Sequence, residues 1–176
     1  MAEGQDYNIE AGNHEAYLKL ALSLATQSPP KPTNYRVGAV LLDVTNNEIL
    51  STGYTLELPG NTHAEQCCFE KLATKHGVDP ARLSEVLPDT VALYTTMEPC
   101  SFRLSGNLPC VDRVLAIGGK IKTVYVGVKE PETFVNNNSG KAKLEQSGIM
   151  FVHIEGLEKD VLEVATAGHD KSENKS

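Results

Sequence analysis

The stretch Gly60-Asn61-Thr62-His63-Ala64-Glu65, taken with Pro99-Cys100 and Pro109-Cys110, decides how this chain folds and what it can bind. Imidazole and thiolate groups are ligands that zinc prefers, and catalytic zinc sites use three protein ligands and leave the fourth position open. Glu65 is left as a carboxylate beside the metal. The motif therefore predicts one zinc ion per chain. Its predicted ligands are His63, Cys100 and Cys110.

Predicted helix starts lie at both ends of this motif. His63 follows a turn and opens a helix, and Cys110 opens another after Pro109. Helix N-termini carry partial positive charge and free N–H groups, which favour a thiolate over a thiol. A purely structural zinc site normally has four protein ligands, and no fourth presents itself, because Cys67 and Cys68 lie one turn into the first of these helices and are expected in the core.

Two simpler interpretations of the same residues stay open at this stage. His-Ala-Glu by itself also suits a surface helix start, and two cysteines separated by nine residues also suit two buried thiols. The order of the residues, the proline before each cysteine and the helix starts together favour the catalytic metal site.

The expected chemistry follows from the set of side chains. Zinc makes water nucleophilic near neutral pH, and Glu65 can carry protons between that water, a ring nitrogen and a leaving amine. A histidine, two cysteines and a glutamate that is not a ligand form the signature of zinc deaminases. The reaction class is hydrolytic deamination of an amidine-like ring carbon.

Helical and strand-like segments alternate along the chain, which favours an α/β fold. The first two strands are close enough for a hairpin, and the later ones need crossovers and are expected to be parallel. The prediction is a three-layer α/β/α sandwich with a mixed central sheet of about five strands. The predicted helices are 13–26, 64–76, 110–117, 141–147 and 157–165, and the predicted strands are 36–43, 49–54, 91–96, 123–128 and 150–154.

The composition predicts one folded domain between two flexible terminal segments. Residues 1–12 are expected to be flexible, residues 13–167 to form the zinc-dependent deaminase domain, and the polar residues 168–176 to be disordered. A net charge of −7 disfavours nucleic acid as a partner. The longest apolar run, residues 37–42, is too short to span a bilayer. Four cysteines without a disulfide pattern indicate a reducing compartment, so we expect a soluble, cytoplasmic protein.

The chain resembles the cytidine deaminase superfamily, on the His-Ala-Glu and Pro-Cys elements described above. Members that act on nucleosides or tRNA usually have two residues between the cysteines. The longer insert here, with Asn34-Tyr35-Arg36-Val37-Gly38, Lys129-Glu130-Pro131, Gly140-Lys141 and Gly148-Ile149, is similar to the pyrimidine deaminases of riboflavin biosynthesis. The similarity covers residues 14–153, most of the chain.

Departures from the bacterial pattern make the fungal form the better resemblance. The stretch Ser101-Phe102-Arg103-Leu104-Ser105-Gly106 replaces a shorter bacterial Ser-His-x-Gly-Lys, and Tyr35 replaces a proline. The reductase to which bacterial enzymes are commonly fused is not expected here. The resemblance implies zinc as cofactor, a homodimer, and a diamino-ribitylamino-pyrimidinone phosphate as substrate. It also implies that Asn34 contacts that substrate, although a turn role after Pro32 explains Asn34 as well.

Further substrate contacts are expected on chemical grounds. A phosphate needs positive charge or N–H groups, and Arg103 in the insert is the first candidate and Lys141 at a helix start the second. Asn61 and Thr96 can touch the pyrimidine, although turn and strand roles explain them equally well.

Several alternatives compete with this interpretation. The ribosylamino form of the substrate is one, and a nucleoside or tRNA base deaminase of the same fold is another. A non-catalytic zinc-binding partner protein is the third, and the presence of Glu65 argues against it.

Overall fold

The fold was analysed in a computed structural model, which describes residues 7–129 and 140–169. Five helices and five strands alternate in these ranges, as predicted. The helices are α1 His14–Ala25, α2 Ala64–His76, α3 Cys110–Leu115, α4 Gly140–Gln146 and α5 Glu158–Ala165. The strands are β1 Gly38–Asp43, β2 Glu48–Tyr54, β3 Val91–Met97, β4 Ile121–Val128 and β5 Met150–His153, and a 3₁₀ helix covers Pro80–Glu85.

Local signals place the helix ends. The side chain of Asn13 accepts a hydrogen bond from the backbone N–H of Ala16 and caps α1. Gly77 ends α2 in the left-handed conformation (φ 66°), which a glycine adopts without steric cost. Asp79 caps the 3₁₀ helix, with Pro80 in its first turn. This short helix was not predicted.

The sheet has the order β2-β1-β3-β4-β5. β1 pairs antiparallel with both β2 and β3, whereas β3, β4 and β5 run parallel. Asn47, at φ 51°, lies in the turn of the β1–β2 hairpin. The mixed sheet and its hairpin are therefore confirmed. The two crossovers after β3 carry α3 and α4 on the same side of the sheet as α2.

Helices cover both faces of the sheet and complete the three layers. On one face, residues of α2, α3 and α4 form an apolar core with alternate side chains of the strands, including Leu41, Leu93 and Val124. On the other face, α1 packs on Val40 and Tyr94, and α5 packs beside α1. The predicted three-layer arrangement is confirmed, and it puts α2 and α3 side by side.

Two glycines allow the helices to approach the sheet closely. A Cβ atom on Gly38 would lie 1.8 Å from the carbonyl oxygen of Ala21 in α1, and one on Gly53 would lie 2.3 Å from the carbonyl oxygen of Ala64 in α2. Only a residue without a side chain fits at these contacts. Gly53 therefore determines how near the first turn of α2 lies to the sheet.

The segments next to both termini make contacts where they are described. The carbonyl oxygen of Ile9 accepts hydrogen bonds from Tyr17 and Asn47. His169 donates from Nε2 to the carbonyl oxygen of Asn34 at 2.9 Å, and its ring lies 4.9 Å from that of Tyr35. The rest of the expected flexible N-terminus and disordered tail, residues 1–6 and 170–176, lies outside the described residues, as do Glu130 and Pro131.

Across the described ranges, no helix combines the length and the hydropathy that a membrane span requires.

Candidate metal and active site

Three chain segments bring the predicted metal ligands together. His63 is the N-cap residue of α2, Cys110 is the first residue of α3, and Cys100 lies in the loop that leaves β3. Since β3 is a central strand and α2 and α3 lie on one face of it, the three side chains converge at the carboxyl end of β3.

The ligand atoms have the spacing of a zinc site. The Nδ1 atom of His63 lies 3.4 Å from Sγ of Cys100 and 3.5 Å from Sγ of Cys110. A tetrahedral zinc ion, with Zn–S bonds of about 2.3 Å and Zn–N bonds of about 2.0 Å, puts sulfur and nitrogen about 3.5 Å apart. All three ligand atoms lie within 4.8 Å of one another, and no other such group occurs in the described part of the chain. The residues present therefore fit zinc.

The thiol of Cys110 donates a hydrogen bond to the sulfur of Cys100. The hydrogen bond from Cys110 lowers the pKa of the Cys100 thiol, and the same bond raises the pKa of Cys110. The backbone N–H of Cys110, at the start of α3, also donates to Sγ of Cys100 at 3.3 Å. The lowered pKa of Cys100 favours its thiolate, which is the form that binds metal.

The carboxyl group of Glu65 lies beside this cluster and is almost completely buried, with 3% of the residue exposed. Burial raises its pKa above the usual carboxylate range, against the opposing effects of His63 and of a hydrogen bond from Thr95. Oγ1 of Thr95 lies 3.0 Å from Oε1 of Glu65. A buried carboxyl with a raised pKa suits a group that takes up and releases protons.

A cavity of about 420 Å³ opens onto the cluster, which is within the size range of small-molecule sites. Its wall contains His63, Cys100 and Glu65, so a molecule bound there lies against both the metal ligands and the carboxyl group.

Two of the predicted substrate contacts line this cavity. Asn34 and Asn61 face each other in the wall, and Nδ2 of Asn34 donates to Oδ1 of Asn61 at 3.0 Å. Their amide groups therefore have fixed orientations. Both residues stay candidates for substrate binding.

The structure does not put the other three predicted contacts in the cavity wall. Thr96 is fully buried, and its hydroxyl accepts a hydrogen bond from the backbone N–H of Gly38 at 3.2 Å. Arg103 points inward, with 7% of the residue exposed. The Nζ atom of Lys141 lies 5.9 Å from the centre of the Phe151 ring. Each of these side chains has a partner outside the listed wall, and their roles as substrate contacts stay predictions.

The cavity wall also contains residues that the sequence analysis missed. Thr33 and Tyr35 flank Asn34, and Glu98 precedes Pro99-Cys100, so proximity to the motifs is a signal that could have identified them. Thr55 carries no such signal, since β2 and the pairing of the sheet bring it there. Val37 and Met97 complete the wall with apolar surface.

Residues 11–128 match the cytidine and deoxycytidylate deaminase zinc-binding region. A diaminohydroxyphosphoribosylamino-pyrimidine deaminase of Schizosaccharomyces pombe is 40% identical over 157 residues, which make up 89% of this chain and 36% of that protein. The chain thus spans about a third of the length of this curated relative.

Solved structures show the same architecture. The C-terminal deletion mutant of Aspergillus oryzae Rib2 deaminase, in complex with DARIPP at pH 6.5, superimposes with a TM-score of 0.82 at 46% identity, covering 91% of this chain and 93% of that one. A deaminase/5-amino-6-(5-phosphoribosylamino)uracil reductase of Thermotoga maritima superimposes with a TM-score of 0.67 at 28% identity, covering 88% of this chain and 40% of that one. The expected cytidine deaminase-like fold is confirmed.

Proposed function

This chain belongs to the cytidine and deoxycytidylate deaminase zinc-binding family, and from that premise we propose that it is a zinc-dependent hydrolytic deaminase of riboflavin biosynthesis. The proposed substrate is a 2,5-diamino-6-(ribitylamino)pyrimidinone 5′-phosphate, which loses one ring amino group as ammonia. The observation that carries the proposal is the buried carboxyl of Glu65 in a cavity whose wall also contains His63 and Cys100.

The proposed metal ligands are His63, Cys100 and Cys110. Each offers one ligand atom, and these atoms lie within 4.8 Å of one another. Zinc held there supplies the Lewis acidity that makes water nucleophilic near neutral pH. Four protein ligands would close the site, but the described residues offer three. Because His63 and Cys100 also line the cavity, a metal held by these residues would be accessible from it.

Glu65 is the proposed proton carrier. Its carboxylate accepts the proton that the attacking water loses and gives it to the ring nitrogen beside the attacked carbon. A second proton, from the hydroxyl group that the water has placed on the attacked carbon, passes through the same carboxyl group to the exocyclic amine. The C–N bond then breaks, the carbon becomes a carbonyl, and ammonia leaves. Burial raises the pKa of Glu65, which brings it closer to the neutral pH at which a group that both accepts and donates protons is most effective.

The polar part of the cavity wall supports a substrate with an open polyol chain. Asn34, Asn61, Thr33 and Thr55 offer amide and hydroxyl groups, and such groups can both donate to and accept from the hydroxyls of a ribityl chain. We propose Asn34 and Asn61 as direct contacts. The A. oryzae relative was solved with DARIPP, which further supports a small pyrimidine ligand.

The ribosylamino form is the second candidate substrate, because the S. pombe relative is named for a phosphoribosylamino compound. The two are separated by offering each purified pyrimidine phosphate in turn and measuring ammonia release and the ultraviolet spectrum. We expect kcat/KM to favour the ribityl compound by about 100-fold, the size of discrimination that a few polar contacts provide. A preference for the ribosyl compound would reverse the assignment, and release from tRNA alone would overturn the small-molecule function.

We propose further that the protein acts as a homodimer in the cytoplasm. The insert between the two ligand cysteines exposes apolar side chains, with Phe102 67% and Leu104 95% exposed, and such side chains suit a subunit contact. The four cysteines are free thiols, which fits a reducing compartment. Light scattering on the purified protein tests the dimer, and a single-subunit mass would contradict it.

A further inference from the structure

The guanidinium group of Arg103 is a buried charge that the proposed reaction does not use. It lies in the insert between the two ligand cysteines, with 7% of the residue exposed. Nη1 donates to Oε1 of Gln66 at 3.1 Å, and Nη2 donates to the carbonyl oxygen of Asn61 at 2.5 Å. One side chain thus bridges the insert to two separate parts of the site.

The surroundings of this charge are unusual for a purely structural arginine. Within residues 7–129 and 140–169, Arg103 has no carboxylate within ion-pair distance, and its Nε is a buried nitrogen with no hydrogen-bond partner. Burying a charge without a counter-charge is unfavourable for folding. Its retention inside the protein is therefore better explained by what its two bonded arms hold in place.

The first arm acts on the start of the helix that carries a metal ligand. Oε1 of Gln66, which accepts from Arg103, also accepts from the backbone N–H of His63 at 3.5 Å. Nε2 of Gln66 donates to Oε1 of Glu70 at 2.8 Å, which fixes the orientation of the amide. Arg103 thereby stabilises the N-cap at which the His63 imidazole leaves the chain.

The second arm acts on the wall of the cavity. Asn61, whose carbonyl oxygen accepts from Arg103, uses its side chain to accept from Asn34. Both asparagines line the cavity. A shift of the Asn61 backbone therefore moves the pair of amides that faces a bound molecule.

We propose that Arg103 is a positioning residue, which couples the zinc-ligand helix start to the cavity wall through the insert. Its rigid, forked guanidinium donates from two different nitrogens to acceptors on two separate segments. The part that concerns substrate rests on the proposed function, whereas the part that concerns zinc does not.

The test is the substitution Arg103→Met, which keeps an unbranched stem like that of arginine and removes the guanidinium donors. In this variant we expect zinc affinity, measured by competition with a chromogenic chelator, to fall about 10- to 100-fold, as for other groups that orient metal ligands. We expect KM for the pyrimidine phosphate to rise by a similar factor. Arg103→Lys restores part of both, and it is also the variant to use if Arg103→Met does not fold.

Arg113→Met is the matched control. Arg113 donates to the carbonyl oxygen of Leu108 in the same insert at 3.2 Å and lies 3.9 Å from Glu70, but it has no bond to Gln66 or Asn61. Because Oε1 of Glu70 also accepts from Gln66, we expect Arg113→Met to lower zinc affinity less than Arg103→Met does, and to leave KM near that of the parent protein. Equal effects of Arg103→Met and Arg113→Met on both quantities would overturn the proposal, because they would reduce Arg103 to a support of the insert.

A double variant with Gln66→Met tests the route of the first arm. The effects of residues that act through one network do not add. We therefore expect the double variant to bind zinc about as tightly as whichever single variant binds it less tightly. Fully additive losses would overturn this route. If the parent protein releases no ammonia from either pyrimidine phosphate while Arg103→Met still weakens zinc binding, the proposed function fails and the positioning role stands.

Discussion

The hydroxyl of Thr95 lies 3.0 Å from Oε1 of Glu65 and 2.9 Å from the carbonyl oxygen of Met97. A hydroxyl has one proton, so it can donate to only one of these oxygens at a time. When Glu65 is ionised, Thr95 donates to it. When Glu65 is protonated, Glu65 donates to Thr95, which then donates to Met97. Both protonation states of the carboxyl therefore have a hydrogen-bonded arrangement, as a proton carrier needs.

Glu65→Gln removes the proton carrier while keeping its size. We expect kcat to fall at least about 10²- to 10⁴-fold, as for the loss of a general acid–base group, with one zinc ion per chain still bound. Ammonia release and metal analysis on the same sample measure the two. Glu85→Gln, at an exposed site, is the control. A Glu65→Gln variant with parental kcat would remove this residue from the mechanism.

Thr95→Val and Thr96→Val compare neighbouring hydroxyls on opposite faces of β3. Thr95→Val removes a donor to the ionised carboxyl, so kcat falls about 10- to 100-fold, from the ~1.5–3 kcal/mol of a charged hydrogen bond. That donor lowers the pKa of Glu65. Its loss therefore raises the pKa and moves the acid limb of the kcat profile to higher pH.

Thr96→Val instead leaves the N–H of Gly38 without its acceptor. We expect the free energy of unfolding to fall by about 1–3 kcal/mol, with kcat unchanged. Denaturant unfolding and steady-state kinetics on both variants measure the contrast. An acid limb that stays in place in Thr95→Val would contradict the role of Thr95.

Cys100→Ser and Cys110→Ser each remove one proposed ligand. We expect both variants to lose zinc and stability together, since metal that binds only the folded state adds about 2.7 kcal/mol at 100 times its dissociation constant. Cys68→Ala is the control for a buried thiol, because Cys68 contacts the carbonyl oxygen of Ala39 and not the cluster. Full zinc occupancy in either serine variant would refute the ligand assignment.

Removal of zinc with a chelator is expected to expose a reactive thiol. The hydrogen bond from Cys110 lowers the pKa of Cys100, so Cys100 carries thiolate below the usual thiol range and alkylates even in mildly acidic solution. Burial raises the pKa of Cys68 well above its usual range, so this thiol stays unmodified in the folded chain. Peptide mass spectrometry after iodoacetamide treatment measures both. Equal labelling of Cys100 with and without zinc would contradict its assignment as a zinc ligand.

Gly53→Ala and Gly38→Ala separate the two faces of the sheet. Each new methyl group would meet a backbone carbonyl of the helix packed there, at 2.3 Å and 1.8 Å respectively. We expect both variants to lose stability by about 1–3 kcal/mol, as for other overpacked positions. Only Gly53→Ala is expected to weaken zinc binding as well, because it displaces the first turn of α2. Calorimetry measures the loss of stability, and chelator competition measures zinc affinity. Equal zinc affinities of Gly53→Ala and Gly38→Ala would contradict a link between the position of α2 and the metal site.

Much of the architecture could be predicted because its signals are local. Asn13 and Gly77 place helix ends, since each satisfies backbone groups within one turn of itself. α2 was therefore predicted to its exact residues, 64–76. The 3₁₀ helix at Pro80–Glu85 was missed, although Asp79 and Pro80 are a recognisable start signal.

Side-chain direction could not be predicted in the same way. Arg103 was expected to face a phosphate, but it turns to Gln66 and to Asn61, which are 37 and 42 residues away in the chain. Thr95 and Thr96 look equivalent in sequence. Thr95 contacts Glu65 because its side chain points to the face of the sheet on which α2 packs, and the sequence does not show which face that is.

The order and type of the residues alone determined the metal chemistry, because a histidine, two cysteines and a spare carboxylate suit zinc wherever a fold brings them together. The three-dimensional arrangement decided which polar groups surround that metal and which way each one points. The physical reason is range: caps and turns depend on neighbours a few positions away, whereas a cavity wall depends on how distant segments pack on one sheet.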